Sequence, residues 1–89
     1  MNQAVVDPEH LRRFAGNLKV FTEELQQRSV ALSAQMTHVE QTWRDQQQRK
    51  FAEEFENQKR QMNRLLESAR QHVPYLLRKA EQVEQYLNG

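Results

Sequence analysis

The apolar residues of this chain form two helical patterns that mirror each other about one point near its middle. One pattern leads up to Trp43 and the other leads away from it, and in both the apolar residues recur every three or four positions, which is typical of a helix with one apolar face. Residues equally far from the boundary between Trp43 and Arg44 are apolar partners, for example Leu25 and Met62. An antiparallel helix pair needs such a mirror, because each layer of its core takes one residue from each helix.

The mirror therefore predicts an all-α fold, an antiparallel two-helix hairpin with a defined core. The expected core residues of the first helix are Leu11, Phe14, Leu18, Phe21, Leu25, Leu32 and Met36. Those of the second helix are Phe51, Phe55, Met62, Leu66, Ala69, Val73 and Leu76. Two helices of this size cannot cover each other on all sides, so we expect two hairpins to dimerise into a four-helix bundle. The surface that a partner would cover is expected to include Val20, Val30, Ala34, Leu65 and Leu77.

Capping signals predict where the two helices begin. Asp7 followed by Pro8 is a typical start, because Asp accepts a backbone N–H and Pro needs no donor in the first turn. Asp45 with Gln48 three residues later is a similar start for the second helix. The expected elements of a single helical-hairpin domain, residues 1–89, are a first helix over about 8–41, a turn over about 42–45 and a second helix over about 46–87.

Two residues are unusual inside these helices. Pro74 cannot donate a hydrogen bond to the carbonyl of Arg70, which predicts a kink there, and the apolar spacing beyond it favours a kink over a break. Gly16 costs about 1 kcal/mol relative to Ala in a helix. It is either an exposed position that tolerates glycine or a close helix crossing that requires it.

Composition and charge exclude several classes of function. The formal net charge is +1, so bulk charge indicates neither a nucleic acid nor an anionic membrane as partner. The chain has no cysteine, and hence no disulfide framework and no cysteine-based metal site. No stretch approaches the roughly 18–20 apolar residues of a membrane-spanning helix. Residues 1–10 lack the basic start and apolar run of a cleavable secretory signal.

No residue pattern is typical of catalysis. His10, His38 and His72 stand far apart, and none has an acid or a second histidine at metal-ligand spacing on one helix face. We therefore expect that the chain is not an enzyme, with no catalytic, metal or cofactor site and no cofactor.

A short run of basic residues raises the alternative of nucleic-acid binding. Lys59, Arg60 and Arg64 could form a basic stripe on the second helix. No aromatic residue interleaves with them for base stacking, and no recognition module is visible. A solvated or partner-facing surface is the favoured interpretation, and nucleic acid is the least favoured partner.

Trp43 has two interpretations at the expected turn. It can be a structural plug that covers the open end of the hairpin, because it offers a large apolar area and one N–H. It can also be a docking anchor, because tryptophan is a typical hot-spot residue of protein interfaces. Both roles are compatible if the turn docks onto another chain.

The residues around this turn resemble a known family. Thr42-Trp43-Arg44-Asp45, followed by Phe51 and Phe55, is similar to the motif of the Trp-Xaa-Gly (WXG) family. Its members are small helical hairpins, similar to the early secreted antigenic target, that travel through type VII (ESX-like) secretion systems. The resemblance spans about residues 11–87 and includes the length, the single mid-chain Trp and the amphipathic helices on both sides. It implies a protein-binding effector, adaptor or co-secreted partner that forms a homodimer or a heterodimer with a related helical hairpin and contacts secretion-system components.

Two departures from the family pattern bear on function. The turn motif is Trp43, Arg44 and Asp45, with Asp where the family has Gly. The Tyr-Xaa-Xaa-Xaa-Asp/Glu export signal of many secreted members is absent, because Tyr75 is followed at that spacing by Lys79. Localisation therefore stays open between the cytoplasm and a signal-peptide-independent route out of the cell. The alternative function is a cytoplasmic coiled-coil structural or regulatory adaptor, followed by a basic helical nucleic-acid binder.

Overall fold

A computed structural model describes residues 6–88, and two long helices joined by a short turn account for nearly all of them. Helix α1 spans Pro8–Glu40 and helix α2 spans Gln46–Asn88. The helices run antiparallel, side by side, and give an elongated body of 65 × 24 × 15 Å. The predicted all-α hairpin is confirmed. The expectation that the first ten residues carry no cleavable signal falls partly on residues 1–5, which lie outside the described residues.

Each helix begins with a side-chain cap. The Asp7 carboxylate accepts a hydrogen bond from the backbone N–H of Glu9 at 2.9 Å, and Pro8 occupies the first turn of α1. The Asp45 carboxylate accepts a hydrogen bond from the backbone N–H of Gln48 at 2.8 Å. These bonds satisfy N–H groups that have no partner within the helix, which fixes where α1 and α2 start.

The turn is compact and needs no glycine. At the end of α1, the backbone N–H of Trp43 donates to the carbonyl of Val39 at 3.0 Å. The Arg44 side chain donates from Nε to the carbonyl of Glu40 at 3.2 Å. Within residues 6–88 no residue has a positive φ, so the chain reverses direction without a left-handed residue. An aspartate can therefore stand at position 45 without backbone strain.

The two unusual helical residues behave differently from each other. Helix α2 continues through Pro74 to Asn88, so the proline does not end the helix. A Cβ placed on Gly16 would meet no atom within 4 Å, which contradicts the close-crossing interpretation and supports an exposed position that tolerates glycine. The fully buried small residues are instead Ala15 and Ala80, both 0% exposed.

The core is a narrow seam along the facing sides of α1 and α2. Leu66 is 3% exposed and Met36 is 8% exposed. Thr22 is also buried, and its hydroxyl donates to the carbonyl of Lys19 at 2.8 Å, so burial leaves it hydrogen-bonded. The expected core residues that are buried or half-buried are Leu11, Leu18, Leu25, Met36, Phe55, Met62, Leu66, Ala69, Val73 and Leu76.

The remaining expected core residues lie outside the seam, and this corrects the sequence expectation. Their exposed fractions are 56% for Phe14, 55% for Phe21, 51% for Leu32 and 45% for Phe51. On α1, Ala15 and Thr22 occupy the seam in place of Phe14 and Phe21. The two sets differ by one residue, about 100° around the helix, and both fit the three-and-four spacing with Leu11, Leu18 and Leu25. The small residues lie inward because they let the two backbones approach.

Candidate protein-docking surface

A groove of about 150 Å³ opens between α1 and α2 on one side of the hairpin. Its lining is mainly apolar and includes two residue pairs that the sequence mirror predicts, Leu25 with Met62 and Leu32 with Phe55. The other residues of the lining are Arg28, Ser29, Gln58 and Lys59. The groove shows that the seam is incompletely filled at mid-length on this side.

The same side of the hairpin carries most of its exposed large apolar residues. Residues seven apart lie on one face of a helix, so Phe14 and Phe21 share the face of Arg28. By the same spacing, Phe51 and Leu65 share the face of Gln58 on α2. Arg28 and Gln58 both line the groove, so the two faces adjoin. We call this surface the apolar edge, and its exposed apolar residues are Phe14, Phe21, Leu32, Val39, Phe51, Leu65 and Tyr86.

An aromatic cluster closes the apolar edge at the turn. The ring centroids of Trp43 and Phe51 lie 5.9 Å apart at an interplanar angle of 40°, and those of Phe51 and Phe55 lie 6.3 Å apart at 16°. The Lys59 ammonium lies 5.7 Å from the centroid of the Phe55 ring. Trp43 is half-buried, so its ring packs on the hairpin and still presents surface to solvent. The geometry is compatible with both the plug and the docking roles.

The opposite side of the hairpin is charged. Arg12 Nη1 lies 2.7 Å from a Glu84 carboxylate oxygen and joins the beginning of α1 to the end of α2. The hydrogen bond that the guanidinium donates to the Glu84 carboxylate raises the pKa of Arg12 above its ordinary value. Because these groups are solvent-exposed, the pair adds little to stability. We call this surface the charged edge. Its charged residues recur at multiples of seven positions along each helix, and they are Arg12 and Lys19 on α1 and Glu56, Arg70 and Glu84 on α2.

The described histidines and acidic residues do not converge on a metal site. Within residues 6–88 no group of three or more His, Cys, Asp or Glu side chains could hold a metal ion. His10, His38 and His72 are exposed and belong to the beginning of α1, the end of α1 and the middle of α2. Neither α1 nor α2 is long and apolar enough to cross a membrane.

The residues of the expected basic stripe face different surfaces of the hairpin. Lys59 lines the groove and its ammonium lies 3.0 Å from the Glu56 carboxylate. Arg60 lines a different, shallow depression together with Glu53 and Glu56. Basic residues that face different surfaces and lie beside carboxylates do not form a continuous track for a phosphate backbone.

The described residues form an antiparallel helical hairpin with a Trp at its turn and an exposed apolar edge, which is the architecture of a small helical-hairpin protein. The WXG100 family, described as proteins of 100 residues with WXG, matches residues 3–86 of this chain. The chain therefore belongs to the WXG100 family, whose small helical proteins are associated with type VII secretion. No curated protein and no solved structure matches it.

The apolar edge differs from the partner surface expected from sequence. Of the residues expected there, Leu65 lies on the apolar edge, whereas Leu77 shares the helix face of Arg70 and Glu84 on the charged edge. Val20 and Val30 are exposed but do not share the spacing of Phe14 and Phe21. The seven-residue spacing of Phe14 and Phe21 could have indicated the apolar edge, but both residues were expected in the core of the hairpin.

Proposed function

We propose that this chain is a non-enzymatic, protein-binding hairpin of type VII secretion that acts by pairing its apolar edge with a related helical hairpin. The observation that carries the proposal is the concentration of exposed large apolar side chains on one edge, beside an open groove. Family membership gives the biological setting.

The energetics favour a covered apolar edge. Fully burying a Leu or Phe side chain is worth about 1.5–3 kcal/mol, so covering several half-exposed ones contributes several kcal/mol to association. Exposed apolar patches of this extent on small soluble proteins mark interaction sites. The charged edge has the opposite character, because its ion pairs are solvated and would lose hydration if a partner covered them.

The residue four positions after Tyr75 shapes the proposed role of the partner. Tyr75 is followed by Lys79 where secreted relatives carry an acidic residue, so we propose that the partner hairpin supplies the signal and that the two chains leave the cell together. The same departure favours a second candidate, a cytoplasmic coiled-coil adaptor that uses the same edge and is not exported. The two candidate functions differ in the cell fraction, medium or lysate, in which this chain is found bound to its partner.

Affinity capture from the native cell, separated into medium and lysate, tests the proposal. The informative pair of variants is Leu65→Asp on the apolar edge and Leu77→Asp on the charged edge, because both leucines are exposed on α2, at 59% and 44%. Wild type and Leu77→Asp should retain a small helical-hairpin protein, and Leu65→Asp should lose it.

The cell fraction then decides between the two candidates. Recovery of the pair from the medium, lost when type VII secretion is inactivated, supports co-secretion. Recovery from the lysate alone supports the cytoplasmic adaptor. Equal loss of binding in Leu65→Asp and Leu77→Asp would contradict the assignment of the apolar edge as the docking surface.

A further inference from the structure

We propose that the groove between α1 and α2 binds a medium-chain fatty acid, with the carboxylate at Arg28 and the hydrocarbon chain along the seam. This inference goes beyond the proposed function, because a small molecule enters the groove of a single hairpin without a partner protein. It rests on the gap in the seam, on the length and volume of that gap, and on the charges at its rim.

The groove exists because two consecutive seam positions of α1 hold small residues. Ser29 and Ser33 are half-buried, and they lie between the larger seam residues Leu25 and Met36. The Ser33 hydroxyl donates to the carbonyl of Ser29 at 3.0 Å, so its hydrogen bond is made within α1. Two short side chains in succession cannot fill the space between the helices, and the seam therefore stays open at this level.

The dimensions of the groove fit a short hydrocarbon chain. Its lining on α1 extends from Leu25 to Leu32, which corresponds to a length of about 10 Å at 1.5 Å per residue. Its volume is about 150 Å³, and an apolar protein cavity of about this volume can hold one benzene molecule. The same volume drawn out between two helices suits a linear chain better than a ring. Phe55 and Met62 complete the apolar walls.

The rim of the groove is positively charged. Arg28 and Lys59 line it, and the described residues of the lining include no acid. Long side chains lean toward the N-terminus of their own helix, so Arg28 leans toward Leu25 and Lys59 toward Phe55. The Lys59 ammonium indeed lies 5.7 Å from the centroid of the Phe55 ring. A ligand with an apolar body and a negative charge is therefore complementary to the groove.

Arg28 is the cation that fits the carboxylate of the ligand. Within residues 6–88 Arg28 forms no ion pair, whereas the Lys59 ammonium lies 3.0 Å from the Glu56 carboxylate. Glu24, four residues before Arg28, is exposed and does not line the groove. A guanidinium offers two parallel donors to a carboxylate. The carboxylate therefore lies near Leu25, and the chain passes over Ser29 toward the turn.

Two other cavities lack this combination of apolar walls and positive charge. The cavity beside Lys19 and Arg70 also includes Glu23. The shallow depression beside Arg60 includes four glutamates, which oppose the binding of an anion. These two cavities therefore serve as internal comparisons for the groove, where bases stand without an acid in the lining.

Titration of octanoate into the chain, followed by NMR of isotope-labelled methionine methyl groups, tests the site. The Met62 methyl group lines the groove, so its signal should shift and saturate at one octanoate per chain. The Met36 methyl group lies on the same seam, 8% exposed and outside the groove, and its signal should stay unchanged. The two methionines thus separate binding in the groove from a general effect on the hairpin.

Two matched pairs of variants test the gap and the charge. Ser29→Leu fills the groove and should abolish the Met62 shift, whereas Ser29→Ala keeps the space and should preserve it. Arg28→Gln should weaken octanoate binding about fivefold, the upper end for a solvent-exposed ion pair, and should leave the binding of the uncharged probe 1-octanol unchanged. Arg78→Gln removes an exposed arginine elsewhere on α2 and should change the binding of neither probe.

Each result either supports or contradicts the proposal. An unchanged Met62 signal, equal shifts of Met62 and Met36, or equal binding by Ser29→Leu and Ser29→Ala would overturn the groove as the site. Equal effects of Arg28→Gln on octanoate and 1-octanol, or of Arg28→Gln and Arg78→Gln on octanoate, would overturn the position of the carboxylate. Circular dichroism should show unchanged helix content in every variant, and if Ser29→Leu unfolds, the comparison of Met62 with Met36 in the wild type still decides the site.

Discussion

Replacing Asp45 separates the capping role of this residue from any other role at the turn. The Asp45 carboxylate holds one hydrogen bond, 2.8 Å long, to the backbone N–H of Gln48 at the start of α2. Removing such a cap by Asp45→Ala should cost about 0.5–2 kcal/mol. For a domain of this size, each 1 kcal/mol corresponds to a fall in Tm of about 4–8 °C.

Two further substitutions at the same position sharpen this test. Asp45→Asn keeps an acceptor oxygen and loses only the charge that favours a helix N-terminus, about 0.3–1 kcal/mol. Asp45→Gly should cost only a few tenths of a kcal/mol, because glycine is a tolerated cap. Urea unfolding followed by circular dichroism, at one fixed chain concentration because association adds apparent stability, should rank Ala as the most destabilising. Equal destabilisation by Asp45→Gly and Asp45→Ala would refute the capping explanation.

Other substitutions test the seam and the two edges. Leu66→Ala, at a residue only 3% exposed, should lower the free energy of unfolding by about 2–5 kcal/mol, whereas Phe14→Ala, at 56% exposed, should cost far less in the free chain and instead weaken association. Gly16→Ala should raise the free energy of unfolding by about 0.5–1 kcal/mol, because the added methyl group meets open space; a lower stability would indicate a hidden contact. Arg12→Gln should leave Tm nearly unchanged, and a large drop would show that its solvated bond to Glu84 holds the helices together. Trp43→Phe should also preserve Tm while weakening partner binding, measured by titration calorimetry, and unchanged binding would leave Trp43 as a plug alone.

The elements that sequence predicted best are those with local causes. The first turn of each helix depends on one short hydrogen bond that Asp7 or Asp45 accepts from a backbone N–H, and both signals can be recognised from a few neighbouring residues. The confirmed hairpin follows from the mirrored apolar spacing, because only one turn lies at its centre. Both kinds of signal can be read from the order of the residues along the chain.

The rotation of α1 about its own axis was not predictable in this way. Phe14 and Ala15 fit the three-and-four spacing equally well, as do Phe21 and Thr22. Preference for the larger apolar residue placed the phenylalanines inside, whereas the structure buries the small residues so that the helices approach closely. The choice depends on the distance between two helices, a property that neither segment specifies alone.

The contact register was predicted at mid-length and not at the open end. Leu25 and Met62 share the groove as the mirror requires, but Arg12 pairs with Glu84, farther along α2 than the mirror places it. Side chains lean toward the N-terminus of their own helix, which in an antiparallel pair displaces long side chains in opposite directions. Apolar spacing therefore locates core layers better than it locates long polar contacts.

Thiol labelling on the two edges tests most directly whether the apolar edge is the docking surface. The chain has no cysteine, so Gln58→Cys, beside the groove, and Asn63→Cys, on the helix face of Glu56 and Arg70, each carry a single reporter at an exposed position. In the complex with the partner hairpin, the Gln58→Cys thiol should react at least about tenfold more slowly than in the free chain, because a covered interface excludes the reagent. The Asn63→Cys thiol should react at the same rate in both states. Protection of Asn63→Cys, or unchanged reactivity of Gln58→Cys, would contradict docking through the apolar edge.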